Sequence, residues 1–150
     1  MDKSRRGRTG GSKTKPAEQI DIRYGAGLLR QESAAWPAYA LVATPTALET
    51  AQPHLAKPPA SVVHAEWLDS GHQRELASLT PDDVELVVGL GGGRALDASK
   101  FVALAKDVPL IMVPTIVSSG AIIHGHVATW RGRRLHGGVD DWPWVDCEYV

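Results

Sequence analysis

The chain has 150 residues, about one domain of ordinary size, and its 43% apolar and 22% charged side chains exclude a wholly disordered, collagen-like or coiled-coil protein. No apolar stretch reaches the roughly 18 residues of a membrane helix, the longest, 108–117, being broken by Pro109 and Pro114; no apolar segment follows the basic start as in a secretory leader, so no membrane partner and a cytoplasmic location are expected. The single cysteine, Cys147, excludes an internal disulfide and a cysteine-built metal cluster.

The formal net charge of −1 conceals an asymmetry. Residues 1–15 carry Lys3, Arg5, Arg6, Arg8, Lys13 and Lys15 against Asp2, a net of +5, while the remainder holds 10 basic and 16 acidic side chains, a net of −6. The Gly/Ser/Thr-rich start cannot bury apolar surface, so residues 1–18 read as a disordered basic tail and 19–150 as one α/β domain. Such a tail either touches nucleic acid or acidic lipid or is a plain solvated extension. The acidic body argues against nucleic acid as the main partner.

From residue 20 onward strand and helix patterns alternate. A short strand at 20–22 leads through Tyr24-Gly25-Ala26-Gly27 to a helix at 28–35, stopped by Pro37 because the residue before proline avoids the α region. The apolar run Tyr39–Ala43 suits a strand buried on both faces. Thr46 is placed to cap a helix at 47–54. Pro58-Pro59 precedes a strand at 61–64, and a helix follows at 72–79. Thr80-Pro81-Asp82-Asp83 has the order cap, N1 proline, early acids, which predicts a short helical turn. Then come a strand at 85–90, the Gly91-Gly92-Gly93 loop, a helix at 94–105 and a strand at 109–113. The helix at 94–105 shows no clean apolar stripe; Leu96, Ser99, Ala103 and Leu104 are its expected sheet-facing residues. Residues 121–130 and 135–139 flank Arg131-Gly132-Arg133-Arg134 as a β-hairpin, and a final extended segment ends at Tyr149-Val150. This rhythm predicts βαβ units in a Rossmann-like, mostly parallel sheet with flanking helices and a C-terminal hairpin.

The sharpest local feature is strand, triple glycine, helix. Glycines permit positive φ and close backbone approach, and the following helix presents unpaired N–H groups and a positive dipole end suited to a phosphate. Arg94 stands at the mouth, where it adds a charge-assisted contact. The spacing is neither G-x-G-x-x-G nor a P-loop, so a tight strand-to-helix turn without a ligand remains the alternative. Asp97 and Lys100, three residues apart, read either as a surface ion pair or as part of the site. The second loop, Val113-Pro114-Thr115-Ile116-Val117-Ser118-Ser119-Gly120, also follows a strand. Ligands of open α/β sheets bind outside the carboxyl ends of strands, so Thr115, Ser118 and Ser119 offer hydroxyls to the same crevice.

Gly91-Gly92-Gly93-Arg94-Ala95-Leu96-Asp97-Ala98-Ser99-Lys100, followed by Val113-Pro114-Thr115, resembles the N-terminal half of the iron-containing alcohol dehydrogenase superfamily, which includes glycerol dehydrogenase, glycerol-1-phosphate dehydrogenase and dehydroquinate synthase. Tyr24-Gly25-Ala26-Gly27 is similar to the family's opening turn, and the resemblance spans about residues 20–150. It implies an NAD or NADP site in which Gly91, Gly92, Gly93, Arg94 and Asp97 hold the pyrophosphate and nicotinamide side and Thr115, Ser118 and Ser119 the adenine nucleotide. It also implies a dinucleotide and a small alcohol as partners, with Fe or Zn held by a helical domain that residues 1–150 lack, so that this stretch alone is expected to turn nothing over. Catalytic residues are therefore not assigned and no metal ligand is expected. A dehydroquinate-synthase-like lyase and a non-catalytic nucleotide-binding module are the alternatives.

Two departures bear on substrate and cofactor. Polyol-handling members carry an aspartate shortly after Pro-Thr, where this chain has Ser118-Ser119-Gly120-Ala121. The acid that often binds the adenosine ribose is replaced by Thr44-Pro45, which leaves NADP open. His124 and His126 alternate on one face with His136 across the hairpin, a spacing compatible with zinc and equally with surface or stacking residues. Trp142 and Trp144 flank Pro143 and would pack on a further domain; exposed, they favour association into a homo-oligomer.

Overall fold

The computed structural model describes residues 21–67, 69–116, 120–122, 127–131, 134–138 and 147–149. Its elements run β1 (Asp21–Ile22), α1 (Leu28–Ala35), β2 (Tyr39–Ala43), α2 (Pro45–Ala51), β3 (Ser61–His64), α3 (Ser70–Leu79), β4 (Leu86–Gly91), α4 (Gly93–Lys106), β5 (Leu110–Pro114), β6 (Val127–Arg131), β7 (Arg134–Gly138) and β8 (Cys147–Tyr149), with 3-10 turns at Gln52–His54 and Gly120–Ile122. The tail predicted for residues 1–18 lies outside the described residues.

Six strands form one sheet in the order β1-β8-β5-β4-β2-β3, every neighbouring pair parallel. β6 and β7 pair separately as an antiparallel hairpin. The final segment, expected only to be extended, supplies β8, which inserts between β5 and β1. The Rossmann-like, parallel architecture with a hairpin is thus present.

The alternation of side chains along each strand divides the core into two layers. Ala40, Val42, Val87, Leu110 and Met112 face α3 and α4, packing with Leu76, Ala95, Leu96, Ala98, Val102 and Ala103. Tyr39, Leu41, Ala43, Leu86, Val88, Leu90 and Ile111 face the other way, against Trp36, Ala47, Ala51 and Leu29 of the α1 and α2 side. Both layers require apolar residues, which is why β2 and β4 are buried along their whole length. On the second layer the Trp36 and Tyr39 rings meet edge to face at 5.2 Å. The Tyr39 hydroxyl donates to the Lys57 carbonyl at 2.7 Å, and burial pushes its pKa up to about 12.

Local chemistry sets the element ends. Gly27 enters α1 at φ +79°, a conformation that favours glycine, and Trp36, before Pro37, is extended. The cap expected at Thr46 is displaced: α2 starts at Pro45, with Thr44 as its N-cap and no side-chain cap bond. Proline fits the first helical position because its missing N–H would be unpaired there anyway. Asp69 caps α3, its carboxylate accepting from the Gly71 and His72 amides at 2.9 Å each. Thr80 does not open a helical turn. It closes α3, its hydroxyl donating back to the Leu76 carbonyl at 2.8 Å, and residues 81–84 form a turn. Tertiary burial of Thr80 overrides the local capping pattern.

One glycine is fixed by layer spacing. A Cβ built on Gly89 would come within 2.6 Å of the Ser99 Cβ, so α4 lies against β4 only because position 89 has no side chain. Gly89→Ala is expected to destabilise the fold by about 1–3 kcal/mol, the usual range for overpacking, read as a lower urea midpoint with unchanged slope.

The backbone amides of His72 and Gly71 hold the Asp69 carboxyl below its ordinary pKa, against a smaller opposing desolvation effect. The contribution of this cap is therefore complete above the carboxyl's unfolded pKa and is lost as pH falls through the lower folded value. Urea titrations from pH 6 down to pH 2 should show a shallower acid loss in Asp69→Asn than in the parent chain; equal slopes would contradict the assignment.

Candidate functional site: the crevice between β2 and β4

β2 and β4 are hydrogen-bonded neighbours, yet their continuations part. β2 runs through α2 to β3 on one side, while β4 runs through α4 to β5 on the other. α2 and α4 also lie on opposite faces. This is a topological switch point, the place outside the carboxyl ends of the strands where ligands of open α/β sheets bind.

The three glycines fill different roles at that opening. Gly91 has φ +140°, and a Cβ on it would meet Ala95 at 3.1 Å, Ala47 at 3.4 Å and Thr44 at 3.6 Å. It lets the chain turn while α2 and α4 close in around it. Gly92 is the N-cap of α4 with φ −86° and no side-chain cap bond, and a Cβ there meets nothing within 4 Å. Gly93 is the first residue of α4. The first-turn amides of α4 therefore have no capping side chain from Gly92, and the space over that residue is open. Arg94 is exposed beside it.

The Thr115 amide donates to the Gly91 carbonyl at 3.0 Å, tying the Pro-Thr loop to the glycine bend. Thr115 is exposed, so the structure brings Gly91, Gly92, Gly93, Arg94 and Thr115 to one edge. Ser118 and Ser119 lie outside the described residues, as do His124, His126, Trp142 and Trp144. Among the described residues no three His, Cys, Asp or Glu side chains come together as a metal site, so no metal step is derived from them.

A groove of about 490 Å³ opens beside the bend rather than in it, lined by Pro45, Leu48, Glu49, Gln52, Pro53 and His64. It joins α2 to the carboxyl end of β3, and its Pro45 directly follows the Thr44 that approaches Gly91. The sequence reading did not identify His64 or this groove; a histidine ending a predicted strand was the available signal. Apolar Pro45, Leu48 and Pro53 share its walls with the polar side chains of Glu49, Gln52 and His64.

Asp97 and Lys100 differ from a surface ion pair. Lys100 Nζ lies 3.0 Å from Asp97 Oδ1, and the side chains are 0% and 9% exposed. By helical geometry Asp97 lies roughly opposite Ser99, which sits beneath Gly89, and Lys100 lies on the flank next to Leu96 and Ala103. Besides the sheet, α4 packs against α3, the Gly120–Ile122 turn and β6. Leu104, expected to face the sheet, is only partly buried and lies outside both core layers.

The family model for iron-containing alcohol dehydrogenases matches residues 29–126. The chain belongs to the iron-containing alcohol dehydrogenase family. It is 38% identical over 47 residues to glycerol dehydrogenase 1 of Schizosaccharomyces pombe, covering 31% of this chain and 10% of that one. It is 42% identical over 45 residues to the glycerol-1-phosphate dehydrogenase [NAD(P)+] of Methanosphaerula palustris, covering 30% and 12%. The crystal structure of sulfoacetaldehyde reductase from Bifidobacterium kashiwanohense in complex with NAD+ superposes with a TM-score of 0.70 at 17% identity, covering 87% of this chain and 44% of that one. At that identity the likeness is one of fold. The chain thus spans only part of the length of these relatives. Among the described residues no helix is long and apolar enough to cross a membrane.

Removing one partner of a buried ion pair strands the other charge. Lys100→Met is expected to destabilise the chain by about 3–5 kcal/mol, measured by urea unfolding, and Asp97→Asn with Lys100→Met by much less, since the double change leaves no net charge behind. Equal losses in the single and double variants would contradict this.

Proposed function

We propose that this chain is the NAD(P)-binding domain of a metal-dependent dehydrogenase acting on a small alcohol, and that it binds the dinucleotide across the β2/β4 crevice. The observation that carries the reading is the open, uncapped N-terminus of α4 at a switch point, with Gly92 leaving room and Arg94 beside it. The pyrophosphate lies on the amides of Gly93, Arg94 and Ala95, where unpaired N–H groups and the helix dipole favour negative charge. Arg94 adds a charge-assisted bond. The adenosine half extends along the groove of Pro45, Leu48, Glu49, Gln52 and His64; Thr44-Pro45 carries no acid, but the Glu49 carboxylate on the groove wall opposes a 2′-phosphate and offers an acceptor to ribose hydroxyls. Thr115 provides a hydroxyl along the opposite wall, and Ser118 and Ser119, the next hydroxyls in the sequence, are assigned to the same nucleotide without a described position. The nicotinamide half points toward Asp97. When bound, the dinucleotide supplies hydride acceptance, and the residues of this chain position it.

Isothermal titration of the 150-residue chain with NAD+ and NADP+ tests the proposal. Gly92→Val should abolish binding while leaving the thermal midpoint nearly unchanged, because the position has ordinary φ and free space. Arg94→Ala should weaken binding about tenfold, the worth of one charge-assisted contact. Undiminished affinity in Gly92→Val would overturn the placement.

A further inference from the structure

We propose that Lys100 is a positioning residue for dinucleotide binding, its ammonium fixing the Asp97 carboxylate against the nicotinamide half of the ligand. The inference rests on the dinucleotide reading above and adds a residue that reading does not use.

Four observations carry it. First, Lys100 is completely buried, and lysine is almost never so without a specific partner. Second, its Nζ lies 3.0 Å from Asp97 Oδ1, a charge-assisted hydrogen bond. Third, neither residue belongs to the apolar layer that holds the helix to the sheet. A leucine and a methionine there would complete the packing without any desolvated charge, so the pair is not what the core requires. Fourth, Asp97 is one turn from the open end of α4. Helical side chains lean toward the N-terminus of their helix, so the carboxylate leans toward that end and Lys100, three residues on, follows behind it.

The chemistry follows from this geometry. A nicotinamide carboxamide presents N–H donors, and a carboxylate is an acceptor only. Asp97 exposes part of its side chain (9%) whereas Lys100 exposes none. The ligand therefore meets the carboxylate, and the lysine acts through it. Burial of both side chains leaves the pair little room to reorient.

The test compares NAD+ with ADP-ribose, which keeps the pyrophosphate and adenosine but lacks the nicotinamide, by calorimetry on the 150-residue chain. Circular dichroism establishes that each variant is folded. In Lys100→Arg, which retains a positive charge but moves its point of contact, affinity for NAD+ should fall about tenfold while affinity for ADP-ribose stays within about twofold. Lys100→Gln, which keeps a hydrogen-bond donor without the charge and leaves Asp97 in place, should show the same selective loss, and serves where Lys100→Arg does not fold. Lys100→Arg placed in an Asp97→Asn background should have no further effect on the NAD+ to ADP-ribose ratio. A ratio unchanged in the folded variants, or an equal loss for both ligands, means a structural role and overturns the proposal alone. Failure of the parent chain to bind even ADP-ribose overturns the dinucleotide reading and this proposal with it.

Discussion

Strands β2 and β4 share a ladder but send their chains to opposite faces of the sheet, and the remaining features of the site depend on that divergence. A parallel strand must be followed by a crossover, and right-handed crossovers on one face carry the chain in one direction along the sheet. With α2 on one face and α4 on the other, the chain leaves the carboxyl ends of the two strands in opposite directions. The gap left there needs small residues where the helices approach most closely. Gly91 meets that need between Ala95, Ala47 and Thr44. Gly92 then faces open space, and the first turn of α4 has no capping side chain from it. An anion-binding helix end is a consequence of how the sheet is wound.

α4 links this opening to the rest of the domain. One side rests on the sheet so closely that a Cβ on Gly89 would overlap Ser99, and the helix also packs against α3, the Gly120–Ile122 turn and β6, with Arg94 and Ala105 left exposed. A helix with partners on several sides shows no clean amphipathic stripe. Its only charged side chains held inside are Asp97 and Lys100, paired with each other. Charge in such a place costs stability unless it serves specificity or binding. The exposed pairs elsewhere, such as Arg23 with Asp21 and Glu32, lie at the sheet's far edge, where water already stabilises them.

Much of this was legible in the residues. α1, β2 and β3 fall at their expected bounds because proline and glycine punctuate them, and the double-sided apolar runs of β2 and β4 announced a parallel sheet. The glycine bend and the Pro-Thr loop do meet, through the Thr115 amide and the Gly91 carbonyl. Local pattern failed where tertiary contacts decide. Thr80 carries every mark of a helix start, yet burial makes it the end of α3. The insertion of β8 between β5 and β1 depends on pairing across more than thirty residues, which no local signal encodes. Residues 94–105 lacked an apolar stripe because α4 has packing partners besides the sheet, and the sequence left Asp97 and Lys100 open between a surface pair and the site, whereas they are buried.

The central claim is that a diphosphate sits on the first-turn amides of α4. Amide chemical shifts of the isotopically labelled chain, followed during titration with ADP-ribose, test it most directly. The account predicts that the largest shifts fall on Gly92, Gly93, Arg94 and Ala95, with smaller ones along Pro45-adjacent residues and Thr115, and none at β1. Saturable shifts that spare residues 92–95, or no saturable shifts at all, would contradict it.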